Sequence, residues 1–148
     1  MILVDANLLL YAYNADAPEH DRAKAWLNSL LAGHEWIGFP WITLWAFLRI
    51  STNPRFYRNP LPVDEVFAVI KDLLAQPRVT ILEPGFRHAE ILHRLVADYK
   101  AAGKMLTDAA LAALAIEHGA SLASADQDFR RFPKMKWFNP LESNNHLQ

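Results

Sequence analysis

Four aspartates fall where an acid does chemistry rather than decorates a surface. Asp5 closes a short apolar run, Ile2-Leu3-Val4, and Asp126 and Asp128 follow another, Ser121-Leu122-Ala123. Asp108 stands beside Thr107, which reads as the cap of a helical stretch running to His118. In an α/β protein, strand ends and helix starts meet at one edge of the sheet, and ligands bind there. Carboxylates gathered at such an edge repel one another. A divalent cation relieves the repulsion, and an all-oxygen donor set selects Mg²⁺ or Mn²⁺. Such an ion activates a water and neutralises charge on a phosphodiester under attack.

Each acid also has a plainer role. Asp108 suits the positive end of a helix dipole, and Asp126 and Asp128 suit a turn. Asp5 is harder to account for that way, because a charge ending an apolar strand is costly to bury unless paired or liganded. The residues alone therefore carry the reading as far as an acidic metal site. The other acids fall mostly on helix faces or in loops.

The elements that must position these acids alternate. Strands are expected at 2–4, 36–39, 79–82, 121–123 and 136–138. Helices are expected at 8–13 (capped by Asn7), 19–31, 41–52, 63–75, 86–99 and 107–118, with a short helical turn over 126–132. The loop 53–62 holds Pro54, Pro60 and Pro62. This alternation predicts an α/β fold with a mainly parallel sheet of about five strands, covered on both faces. The 148 residues, 52% hydrophobic and 21% charged, suit one packed domain. No cysteine is present, which excludes disulfides, thiol chemistry and cysteine-ligated zinc and fits a cytoplasmic protein. No run is apolar enough to span a membrane, and the first residues lack the basic start of a signal peptide. A net charge of −1 gives no overall attraction to nucleic acid, so any such partner is held locally.

The segments DANLLLYAYN, PWITLWAFLRIST, LTDAALAALAIEHGASLASADQDFRRFP and WFNPL, which together sample nearly the whole chain, resemble the PIN-domain ribonucleases. They are most similar to the VapC toxins of VapBC toxin–antitoxin pairs. The resemblance implies a Rossmann-like three-layer sandwich, here a PIN nuclease domain over residues 1–141 with a short tail, 142–148. It also implies Mg²⁺ with Mn²⁺ able to substitute, endonucleolytic hydrolysis of RNA by a metal-activated water, a homodimer, and a cognate VapB-type antitoxin. Matched position by position, Asp5, Asp108 and Asp126 are the metal-binding and catalytic acids, and Asp128 joins them as a supporting acid. Asn7 and Ser124 match polar residues that orient the first aspartate.

One departure stands out. Many relatives carry a glutamate in the helix expected at 41–52, where this chain has Ala46. Some place an acid one turn earlier, where it has Ile42. No acid lies between Trp41 and Thr52. Glu117, nine residues past Asp108, is about 13 Å away along a helix, so Asp128 is the better substitute. A single firmly held ion is the expectation.

Arg49, on the 41–52 helix, is the foremost candidate for substrate contact, with Arg55, Arg58 and Lys104 behind it. The six His show no metal-ligand spacing, and the five Trp read as core or dimer contacts. A receiver domain would need an acid after the third strand, which ends in Glu83-Pro84-Gly85. A haloacid-dehalogenase-like phosphatase would need Asp-x-Asp where Asp5-Ala6-Asn7 stands. The serious alternative is a catalytically degenerate PIN domain that binds RNA or a protein partner without cleavage.

Overall fold

The computed structural model describes residues 1–142. His146, and the expected tail apart from Glu142, lie outside the described residues. In chain order the elements are β1 (Ile2–Val4), α1 (Ala6–Ala12), α2 (His20–Ala32), β2 (Ile37–Pro40), α3 (Trp41–Ser51), α4 (Val63–Leu74), β3 (Val79–Leu82), α5 (His88–Tyr99), α6 (Lys104–His118), β4 (Ser121–Ala123) and β5 (Trp137–Phe138). A 3-10 turn, Gln127–Arg131, joins the last two strands.

The five strands form one sheet in the order β3-β2-β1-β4-β5, and every pairing is parallel. The chain builds outward from β1 to β3, then returns to the other side of β1 with β4. The gap between the ends of β1 and β4 is therefore the topological switch point, where connections leave toward opposite faces and open a crevice.

Successive strand residues point to opposite faces. Leu3 and Leu122 belong to one core cluster, with Ala109, Ala112, Ala113 and Leu95 of α6 and α5. Val4 and Ala123 belong to the other, with Leu8, Leu9, Leu27, Phe47 and Val66 from α1, α2, α3 and α4. Two cores on one buried sheet make a three-layer sandwich.

Three local expectations change. Asp5, rather than Asn7, caps α1: its backbone is extended and its carboxylate accepts from the Ala6 amide. Helix α6 begins at Lys104, not Thr107. Gly103 has φ +58 and ψ −128, a conformation costly for other residues, and this lets the chain turn into the helix three residues early. Asp108 is thus the fifth residue of α6, beyond the free amides of its first turn. The tryptophan expectation narrows: Trp45 and Trp36 are 63% and 51% exposed and lie outside the core, which leaves the dimer-contact reading for these two.

Gly38 sits in β2 between Leu3 and Thr80. A Cβ added there would lie 2.5 Å from Leu82 Cγ. Gly38→Ala is expected to destabilise the fold by about 1–3 kcal/mol through overpacking. A thermal melt reads this as a fall of about 2–4 °C per kcal/mol in a domain of this size.

Candidate active site

The site grows from the last residues of β1 and β4. The Asp5 amide donates to the Ala123 carbonyl at 3.0 Å, which carries the β1–β4 ladder to the sheet edge. Thr43 of α3 closes the neighbouring end by donating its hydroxyl to the Val4 carbonyl at 2.9 Å. Backbone that would otherwise fray is fixed, so the side chain of Asp5 is fixed with it.

Ser124 lies just past β4 and is fully buried. Its hydroxyl donates to Asp5 Oδ2 at 2.7 Å. It accepts from Asn7 Nδ2 at 3.0 Å and from the Asp126 amide at 3.0 Å. One donor and two acceptor sites are all a hydroxyl offers, and all are used. Asn7 Nδ2 also reaches Asp5 Oδ2 at 3.2 Å, and its Oδ1 accepts from the Ala125 amide at 3.2 Å. Ser124 and Asn7 thus both hydrogen-bond the Asp5 carboxylate.

Carboxylate oxygens of Asp108, Asp126 and Asp128 all lie within 4.8 Å of one another. Asp126 also caps the 3-10 turn, its Oδ1 accepting from the Asp128 amide at 2.9 Å. The turn role and the cluster role coexist: capping fixes Asp126 and brings Asp128 alongside. Asp5 is outside that trio but within reach of its field. Burial raises its carboxyl above the usual 3.8, against lowering by the Ser124 and Ala6 hydrogen bonds, and the Asp108 and Asp126 charges raise it further. Burial likewise raises Asp108, followed by repulsion from Asp126.

Two cations border the trio. Lys104 Nζ lies 3.9 Å from Asp126 Oδ2, and Arg131 Nη2 lies 3.6 Å from Asp128 Oδ1. Both contacts are long and partly exposed, and they leave the carboxylates far from neutralised. Arg131 was not singled out from the sequence, although its spacing three residues after Asp128 on a helical turn is a usable signal. Arg49 is exposed in the last turn of α3, about 12 Å along that helix from its start at the sheet edge. It is in none of the ion pairs found among the described residues. Glu117 is committed elsewhere, accepting from the Gly85 amide at 3.1 Å. Ile42 packs against the core, and Ala46 offers no ligand atom.

Oxygen donors only, closely set, carrying uncompensated charge and opening at a switch point: these fit a hard dication such as Mg²⁺ or Mn²⁺. Asp108, Asp126 and Asp128 would hold it, with Asp5 beside them.

The raised carboxyls fix the sign of a stability effect. Between the ordinary carboxylate pKa and the higher folded values, the unfolded chain binds fewer protons than the folded one. Metal-free stability attributable to Asp5 and Asp108 therefore falls as pH rises from about 4 upward through the folded values. Asp108→Asn is expected to raise the metal-free melting temperature at pH 7, by about 2–4 °C for each kcal/mol of repulsion relieved. The same variant loses most of the stabilisation that Mg²⁺ gives the native chain, and calorimetry with and without chelator checks both.

Residues 2–135 match the family model described as PIN domain. Ribonuclease VapC37 of Mycobacterium tuberculosis is 40% identical over 140 residues, covering 95% of this chain and 97% of that protein. Ribonuclease VapC33 of the same species is 42% identical over 141 residues, covering 95% and 99%. Among solved structures, FitAB bound to an IR36 DNA fragment gives a TM-score of 0.72 at 22% identity, covering 99% of this chain and all of that one. VapBC2 from Rickettsia felis, bound to a promoter DNA fragment, gives 0.69 at 21% identity, covering 94% and 98%. At such identities the structural likeness speaks for the fold, while the sequence relatives speak for kinship: the chain belongs to the PIN-domain family, among its VapC members.

Proposed function

We propose that this chain is the toxin of a toxin–antitoxin pair and hydrolyses RNA internally with a divalent ion, Mg²⁺ or Mn²⁺. The observation that carries the reading is the trio of carboxylates within 4.8 Å of one another at the switch point, with Asp5 fixed beside them. The names of VapC37 and VapC33 as ribonucleases support the activity. Neighbours named as VapBC complexes support a VapB-type partner. A second copy of the chain is part of the same proposal. A degenerate, non-cleaving domain would have no use for so much unrelieved repulsion, which costs stability with no return.

The ion's chemistry would be to neutralise charge on the phosphodiester and to make a water more acidic. The chain supplies the rest. Asp108, Asp126 and Asp128 would hold the ion, and Ser124 and Asn7 fix the Asp5 carboxylate beside them. Lys104 and Arg131 stand where an arriving phosphate would lie and exchange their long contacts to carboxylates for phosphate oxygens. An acidic cleft on a protein of net charge −1 repels RNA, so these two cations and the ion together must reverse the local sign.

Incubation of RNA with the purified chain and Mg²⁺ or Mn²⁺ is expected to give 5′-phosphate and 3′-hydroxyl ends. Asp108→Asn and Asp126→Asn are expected to slow cleavage by roughly 10²-fold or more, the scale of losing one preorganised electrostatic group. Ser124→Ala, which frees the Asp5 carboxylate and removes the acceptor of the Asn7 and Asp126 hydrogen bonds, should cost about 10–100-fold. Equal activity in all these proteins, or 2′,3′-cyclic phosphate ends, would overturn the reading. Calorimetric titration with Mn²⁺ is expected to find one tight ion per chain, because α3 offers no acid for a second; two equally tight ions would contradict that.

A further inference from the structure

Beside the acidic trio is a cavity of about 480 Å³ bounded by Tyr11, Glu19, Arg22, Ala125, Asn139, Leu141 and Glu142. It lies at the same edge of the sheet, since Ala125 follows β4 and Asn139 follows β5. Ala125 joins it to the catalytic region, because the Ala125 amide is held by the same Asn7 that braces Asp5. The Tyr11 hydroxyl is raised by burial first, then by the charges of Glu19 and Asp126, so it stands within the field of both the cavity and the acidic trio.

The walls are fixed. Arg22 Nη1 donates to the Leu141 carbonyl at 2.8 Å, and Asn139 Oδ1 accepts from the Leu141 amide at 3.0 Å. This pins the segment after β5 against α2. It also sorts what the cavity still offers. Asn139 keeps its Nδ2 donor, Arg22 keeps most of its N–H donors, and Glu19, at the N-terminal end of α2, makes no side-chain cap bond. A two-oxygen acceptor and several donors therefore line one space adequate for a planar ring system.

We propose that this cavity is a base-binding subsite for guanine, taken from the nucleotide next to the phosphodiester that the acids engage. Guanine alone among the four bases presents two adjacent donors, N1–H and N2–H, which a carboxylate such as Glu19 accepts together. Its O6 is the acceptor that Asn139 Nδ2 or Arg22 requires. Adenine and cytosine offer one amino donor beside a ring acceptor, and that acceptor would face a carboxylate. Uracil sets its one donor between two acceptors. Tyr11 provides an aromatic wall, and stacking on it is tolerant of sequence; Glu142, also on the lining, is engaged by the Gln127 amide, so discrimination falls to Glu19. The subsite rests on the ribonuclease reading for its place in RNA, but its base chemistry is tested separately.

The native chain in Mg²⁺ buffer is titrated with 5′-GMP, 5′-AMP, 5′-CMP and 5′-UMP, followed by NMR shifts of Tyr11, Ala125 and Asn139. GMP is expected to bind at least about 10-fold more tightly than the others, as one bidentate base contact provides. Glu19→Gln is expected to erase that preference while the shift pattern of the rest of the protein persists. Equal affinities, shifts that miss these residues, or a preference that survives Glu19→Gln would overturn the proposal. Cleavage of RNAs varied on either side of one fixed bond is expected to favour guanine on one side, by about 10–100-fold, in the native chain but not in Glu19→Gln. Selective GMP binding without any RNA cleavage would uphold the subsite and defeat the ribonuclease reading instead.

Discussion

The Ser124 hydroxyl binds the site together. It is fully buried, it touches the first acid, the amide brace and the backbone of the last acidic turn, and it has no unused hydrogen-bonding capacity. Through it, residues more than a hundred positions apart in sequence are held at hydrogen-bond distance. Breaking such a node leaves a buried carboxylate and a buried amide short of partners, each costing on the order of 1–3 kcal/mol. The geometry of Asp5 relative to Asp126 is therefore set by the core, not by the side chains' own preferences.

That arrangement depends on the all-parallel sheet. Because β1 lies between β2 and β4, the connections on its two sides depart in opposite directions, and the crevice between the ends of β1 and β4 is left open. The small residues of α6, Ala109, Ala112, Ala113 and Ala115, let this helix pack against the core beneath that crevice. Asp108, the fifth residue of α6, is thereby carried to the cleft from one layer while Asp5 and Asp126 come from the sheet edge. Repulsion among them is tolerable only because the surrounding core is rigid enough to hold them together.

The same edge supports two different electrostatic environments. Around the trio, acids dominate and Lys104 and Arg131 sit at the rim. In the neighbouring cavity two carboxylates, a phenol, a guanidinium and an amide line one space, a mixture suited to reading a base rather than gripping a phosphate. Asn7 touches both regions, bracing Asp5 with one end of its amide and Ala125 with the other.

Much of this was legible in the chain itself. Short apolar runs and period-3.6 patterning located the five strands and six α-helices of the described residues, and strand ends pointed to Asp5, Asp126 and Asp128. Similar motifs identified Asn7 and Ser124. What the sequence could not fix was reach. Thr107 has the chemistry of a helix cap, but Gly103 starts α6 earlier, and local propensity yields to the packing of the whole helix. Arg49 and Arg131 are equally basic in sequence, but of the two only Arg131 is paired with an acid among the described residues, brought to Asp128 by the turn after β4. Residue types are written in the order of the chain, whereas distances between them are decided by how strands are ordered in the sheet, and only the folded arrangement contains that information.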